Sequence, residues 1–145
     1  MKITIPIEPM GTVRMTRGMV NRIKWYGGND PRTNGARRYL AYKEAIAWAA
    51  RSLYKGDPIT GPVELNLTFW MPPPASWSAK KRGKAEGALH TKKPDRDNLE
   101  KGVCDALNKI IWKDDGQVCR GRTEKRYSSN PRIEIEIIEI KEESA

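Results

Sequence analysis

The order of hydrophobic periods predicts a mixed α/β (α+β) fold, with a mixed β-sheet of about four strands and helices packed on one face. Three observations carry this. Val63, Leu65, Leu67 and Phe69 alternate with Glu64, Asn66, Thr68 and Trp70, the period of a half-buried strand. Isoleucines alternate near both ends, at Ile3, Ile5 and Ile7 and at Ile133, Ile135 and Ile137. Two stretches between them carry apolar residues at three- and four-residue steps, the spacing of amphipathic helices. The resulting order is strand, helix, strand, short helix, helix, strand, strand, and it builds a two-layer domain. At 145 residues, 1–145 reads as a single domain without internal repeats.

The first strand spans Lys2 to Ile7, and Pro6 places it at a sheet edge or ends it early. Residues 12–38 show no sustained period. They carry Arg14, Arg17, Arg22, Lys24, Arg32, Arg37 and Arg38 against Asp30, with Trp25 and Tyr26 among them and Gly27-Gly28 after. Two readings stand: a DNA-contacting arm whose cations meet phosphates and whose aromatics stack on splayed bases, or a solvated mobile loop with Trp25 tucked on the body. A helix then begins at Asn34 or Gly35 and runs to about Tyr54, burying Tyr39, Tyr42, Ile46, Ala49, Ala50 and Leu53, with Trp48 off that stripe as a candidate interface residue. Lys55-Gly56-Asp57-Pro58 ends it.

Met71-Pro72-Pro73-Pro74 stops the strand at residues 63–70, and Ser76 or Ser78 can cap a short helix bearing Lys80, Lys81 and Arg82, with Trp77 anchoring the segment. With Lys84, Lys92 and Lys93 these cations form either a patch for flanking phosphates or an ordinary solvated face. His90, the single histidine, reads as a general acid or base, a DNA-contacting group or an exposed side chain.

From Lys93 to Val118 the pattern changes. Leu99, Val103, Ala106, Leu107 and Ile110 mark one buried helix face, and Asn98, Lys101 and Asp105 the opposite one. Asp97 can cap this helix, with Glu100 completing a capping box. Asp114-Asp115-Gly116 reads as a turn that brings Asp115 back toward Asp95 and Asp97. Clustered carboxylates stay ionised only around positive charge, and hard oxygen donors suit Mg²⁺, with Mn²⁺ as substitute. Lys101 is placed to stabilise charge on a phosphate. Taken singly, a D-x-D or a D-D-G is more often a solvated cap or turn.

The last two strands, Gln117 to Tyr127 and Arg132 to Ile140, read as an antiparallel hairpin across Ser128-Ser129-Asn130-Pro131. Ile138 and Ile140 fall out of phase with the preceding isoleucines, predicting a bulge or burial on both sides. Lys141 to Ala145 should fray.

The formal net charge is +9. Residues 131–145 carry two basic and five acidic side chains, so the remainder is more basic still. That points to a polyanion, nucleic acid first. A membrane surface fits less well, because the cations do not share one long amphipathic helix. Cys104 and Cys119 make neither a disulfide framework nor a zinc spacing. Without a signal peptide or membrane span, the expected setting is the reducing cytoplasm.

The run Lys93-Pro94-Asp95-x-Asp97-Asn98-Leu99-x-Lys101, then Asp105-Ala106-Leu107, then Trp112-x-Asp114-Asp115-x-Gln117-Val118 resembles the RusA family of Holliday-junction resolvases, the crossover junction endodeoxyribonucleases. The resemblance extends to Pro6–Arg17 before it and the strand pair after it. It implies that Asp95, Asp97 and Asp115 bind the metal and that Lys101 is the active-site lysine. The segment from the helix to Asp115 is one residue shorter than in the best-known member, which leaves Asp114 as the alternative ligand. Asp115 is preferred because it directly precedes Gly-Gln-Val. The resemblance further implies a RusA-like fold, a homodimer that cuts two opposed strands of a four-way junction symmetrically in recombination and repair, and carriage by phages or prophages. Arg14 and Arg17, then Lys80, Lys81, Arg82, Lys92 and Lys93, are the candidate DNA contacts. A module that binds branched DNA without cutting it is the alternative. A nucleotide-sugar transferase using the D-x-D fits poorly with a short, basic chain.

Overall fold

A computed structural model describes residues 1–26 and 30–141. Gly27-Gly28 and the chain end beyond Lys141 therefore lie outside the described residues. Strand β1 spans Lys2–Ile5, helix α1 Arg17–Tyr26 and helix α2 Asn34–Leu53. Strand β2 covers Val63–Met71, helix α3 Ala79–Ala85 and helix α4 Arg96–Leu107. Three strands close the chain: β3 (Val118–Arg120), β4 (Thr123–Tyr127) and β5 (Arg132–Glu139).

Strand β2 is the axis of the sheet. On one side it pairs antiparallel with β5, which pairs antiparallel with β1 at the edge. On its other side β2 pairs in parallel with β3 along its first residues and with β4 along its last. The sheet thus has five strands, because the strand expected over residues 117–127 breaks at Gly121. A Cβ there would lie 1.7 Å from the Leu65 carbonyl oxygen, and φ is +148°. Only glycine lets the backbone pass that close.

The expected hairpin of the last two strands does not form. Strands β4 and β5 lie on opposite sides of β2, and the turn after Tyr127 is a crossover around the end of that central strand. Nor is there a bulge in β5: its register with β2 runs unbroken from Arg132 to Glu139, and Ile138 simply points to the outer face, 40% exposed.

Alternation on β2 is complete. Val63, Leu65, Leu67, Phe69 and Met71 are all buried, each contributing roughly 1.5–3 kcal/mol of apolar burial. They meet Ile3, Ile5, Ile133, Ile135 and Ile137 from the sheet and Tyr39, Tyr42, Ile46, Leu99, Val103 and Leu107 from α2 and α4. The two long helices pack against each other and on this face. The opposite face is polar: Asn66 Nδ2 donates to Glu64 and Glu136 at 3.0 Å each, and the Arg132 guanidinium lies 4.4 Å from the Trp70 ring centre.

Several boundaries differ from expectation. Strand β1 ends at Ile5, where Pro6 interrupts pairing and the Ile7 N–H turns back to the Ile5 carbonyl. Leu53, at the last turn of α2, is exposed rather than buried. Residues 12–26 and 30–38 are not structureless. Thr16 caps α1 by accepting from the Met19 N–H at 3.1 Å, and Asp30 caps a 3₁₀ turn over Pro31–Thr33 while pairing with Arg32. Trp25 on α1 is 76% exposed rather than tucked on the body, and Trp48 is exposed as expected.

Candidate active site

The segment entering α4 is built from three sides. Strand β4 supplies the first: Thr123, Lys125 and Tyr127 alternate on its inner face. The Thr123 hydroxyl donates to Glu100 of α4 at 3.2 Å. The Lys125 ammonium donates to the carbonyls of Lys92 at 2.6 Å and Pro94 at 2.8 Å. Tyr127 packs against Trp77 and His90, with ring centres 5.3 and 4.7 Å apart. The second side is the His90 N–H, which bonds the Lys125 carbonyl at 2.9 Å. The third is the stretch after β1: a Cβ on Gly11 would come within 2.8 Å of the Pro94 ring, and the Thr12 hydroxyl donates to Asn98 at 3.2 Å. The peptide bond between Lys93 and Pro94 is cis.

Asp95 leaves this clamp as the N-cap of α4. Its side chain does not cap the helix. Both its oxygens accept from the Lys93 ammonium, at 2.8 and 2.9 Å. That hydrogen bond, reinforced by the charges of Lys93 and Lys125, holds the Asp95 carboxyl below the usual carboxylate range. Lys93 is raised in turn, by Asp95 first and by Asp97 more weakly. The cap predicted at Asp97 is thus displaced by two residues. Asp97 lies in the first turn, where the helix dipole favours a carboxylate. It has no hydrogen bond or ion pair among the described residues. Glu100 receives Thr123 instead of closing a capping box.

The second acidic pair divides its labour. Asp114 accepts from the Gly116 N–H at 3.0 Å, and Gln117 Oε1 accepts from the Asp114 N–H at 2.8 Å. This is a capping box on the 3₁₀ turn Asp115–Gln117. Gln117 also ties that turn to the carbonyls of Ile59 and Gly61. Asp115 is held differently: the indole N–H of fully buried Trp112 donates to its Oδ1 at 2.8 Å. One oxygen is thereby oriented, and the other has no hydrogen-bond partner among the described residues. Of the two, Asp114 caps the turn, and Asp115, half-buried, keeps one oxygen without a hydrogen-bond partner among the described residues.

Asp115 faces the middle of α4. Burial pushes the Cys104 thiol up to about 12, and the charges of Asp115, Glu100 and Asp105 add to it. Cys104 lies seven residues after Asp97, two helical turns along nearly the same face. Asp97 in the first turn and Asp115 beside Cys104 therefore lie along one side of α4, while Asp95 stands at its N-cap. They do not close on a point: among the described residues no three His, Cys, Asp or Glu side chains gather closely enough to hold an ion. Lys101, on the same side, pairs with Asp105 at 3.5 Å. The donors fit a hard divalent cation by chemistry, since such ions take one or two carboxylates and complete their shell with water and phosphate oxygens.

The predicted DNA contacts separate as well. Arg14, Arg17, Lys80, Lys81, Lys92 and Lys93 are exposed. Ser78 caps α3 by accepting from the Lys81 N–H, and Lys81 lies over the Trp77 ring at 4.4 Å. Arg82 is occupied within the fold, donating to the carbonyls of Trp77 and Pro74, both at 3.1 Å. His90 is buried against Tyr127 rather than exposed, and burial first, then the Lys125 charge, holds its imidazole below the usual range. Sequence alone does not single out Lys125. Its signal was a cation in phase with Thr123 and Tyr127, the buried residues of β4.

Among the described residues, no helix is long and apolar enough to cross a membrane. A protein of Bacillus subtilis (strain 168), described as the uncharacterized protein YqaN, is 44% identical over 103 residues, covering 68% of this chain and 72% of that protein. The family model of endodeoxyribonuclease RusA matches residues 6–138, nearly the whole chain and every element from the end of β1 almost to the end of β5. With the paired aspartates of α4 and the Trp112-held Asp115 inside that span, the chain belongs to the RusA family of endodeoxyribonucleases.

Proposed function

We propose that this protein is a Mg²⁺-dependent endonuclease that resolves four-way DNA junctions by paired nicks, acting as a homodimer in recombination and repair. Asp95, Asp97 and Asp115 would hold the ion, and Mn²⁺ would substitute. A divalent ion in such a site supplies Lewis acidity toward phosphate and a lowered water pKa. The protein's own groups do the rest. Asp97 offers a carboxylate without a hydrogen bond or ion pair among the described residues, and Lys125 fixes the turn from which Asp95 emerges. Trp112 orients Asp115. Lys101 stabilises charge that develops on the phosphate or the leaving oxygen. The attacking group is water, in line with the departing oxygen, and no side chain acts as nucleophile. Arg14, Arg17 and Lys80 lie in exposed segments and contribute phosphate contacts.

The observation that carries this reading is the division of roles between Asp114 and Asp115. A turn that needed only a cap would need only Asp114. Asp115 satisfies the buried Trp112 indole with one oxygen, and its other oxygen, without a hydrogen-bond partner among the described residues, is available to an ion. The test is cleavage of a synthetic four-way junction in Mg²⁺ by wild type and by Asp97→Asn. Symmetric nicks lost in the variant, with junction binding retained, support the enzyme. Binding without a cut under any divalent ion supports the alternative, a non-catalytic module for branched DNA.

A further inference from the structure

An open cavity of about 630 Å³ adjoins the Asp95 end of the site. Its size falls within the range of roughly 300–1,000 Å³ common for small-molecule sites. Met71 and Tyr127 form buried parts of its lining, with Met10, Pro73 and His90 around them. Lys92 and Lys93 supply positive charge at its edge, and Glu8 is the acidic residue of the lining. Lys93 belongs to both places, because it lines this cavity and also holds Asp95 at 2.8 Å. Lys125 and Tyr127 lie two residues apart on one face of β4, about 7 Å along the strand. The cavity thus adjoins Asp95 directly through Lys93.

We propose that this cavity receives one unstacked nucleobase adjacent to the cleaved phosphate. The inference rests on the nuclease reading above. Proline, methionine and aromatic surfaces offer flat apolar contact to any base, as single-strand binding sites do. The lysines at its edge match the backbone phosphate that must accompany the base. His90 adds a second ring to the lining beside Tyr127, with ring centres 4.7 Å apart. A branch point supplies such a base cheaply, because pairing and stacking are already weakened there.

The test uses four-way junctions carrying 2-aminopurine at each position within a few nucleotides of the branch, bound to the protein in EDTA. Fluorescence should rise severalfold at one position in each symmetric strand. The rise should vanish with Pro73→Trp, which fills the cavity from a partly exposed position, and fall with His90→Ala. Unchanged melting temperature and near-normal junction affinity would show that Pro73→Trp still folds and binds. A flat scan, or a rise that persists in both variants, overturns the proposal. Cleavage in Mg²⁺, measured separately on unlabelled junctions, tests the nuclease reading; wild-type cutting with a flat scan sinks the base pocket alone.

Discussion

The Lys125 ammonium donates to the Pro94 carbonyl at 2.8 Å and so ties β4 to the residue before Asp95. A strand in the sheet thereby sets the direction of a carboxylate at a helix start. Lys125→Met keeps the stem and removes the donor. It should cost roughly 1–3 kcal/mol of stability, as two carbonyls lose a charged partner. Groups that orient metal ligands are typically worth 10–100-fold in metal affinity or activity. The Mg²⁺ concentration for half-maximal junction cleavage should therefore rise by about that factor. An unchanged metal requirement would reduce Lys125 to a loop anchor.

Asp114 and Asp115 should respond oppositely to substitution. Asp114→Ala removes the cap of a 3₁₀ turn, worth about 1 kcal/mol, and should leave cleavage within a few-fold of wild type. Asp115→Asn should fold normally and lose cleavage. Trp112→Phe should weaken metal binding while leaving junction binding in EDTA intact, because it deletes the donor to Asp115. Cleavage lost in Asp114→Ala and kept in Asp115→Asn would reverse the assignment.

Lys93 sits on both oxygens of Asp95 and competes with any cation for them. Its removal in Lys93→Met should tighten Mn²⁺ binding in the absence of DNA and weaken junction binding. The sign of the pH effect follows from the carboxyl. Asp95 is lowered from 3.8 in the folded protein, so the pair's contribution is complete above the ordinary carboxylate range. It is lost as pH falls through the folded-state value. A carboxyl ¹³C NMR titration should place the Asp95 midpoint below 3.8 in wild type and closer to it in Lys93→Met. Equal midpoints would show that the ion pair does not persist in solution.

Gly121→Ala should destabilise by about 3 kcal/mol or more, since backbone strain alone costs roughly 1–3 kcal/mol and the new Cβ would collide with the Leu65 carbonyl. Denaturant unfolding measures this. A variant as stable as wild type would mean that β3 and β4 can rejoin without the close approach.

The strong periods were legible in sequence: β2, α2, α4 and β5 lie where alternation and helical spacing put them. What failed was non-local. Strands β4 and β5 are neighbours in sequence across a four-residue turn, which reads as a hairpin, yet β2 outcompetes each for the other because its inner face is apolar throughout. Helix α1 was hidden by its arginines and Gly18, although Met19 and Ile23 were spaced to be half-buried. The D-x-D and D-D-G could be found as a pattern. The cap on Asp114 is locally coded, as the capping box Asp114-x-x-Gln117, and Trp112 reaches Asp115 across three residues. What is not local is the burial that makes the Trp112 indole need an acceptor, and the ties of Gln117 to Ile59 and Gly61. The role of Lys125 is non-local too, since its partners are carbonyls more than thirty residues away.

The central claim is that acidic groups along α4 and at Asp115 grip one hard divalent site. The most direct measurement is anomalous scattering from a crystal of the protein soaked in Mn²⁺. The account predicts density between Asp95 and Asp97, with Asp115 turned toward the same site and Lys93 displaced from Asp95. Density at Asp114 alone, or none along α4 at saturating Mn²⁺, would contradict it.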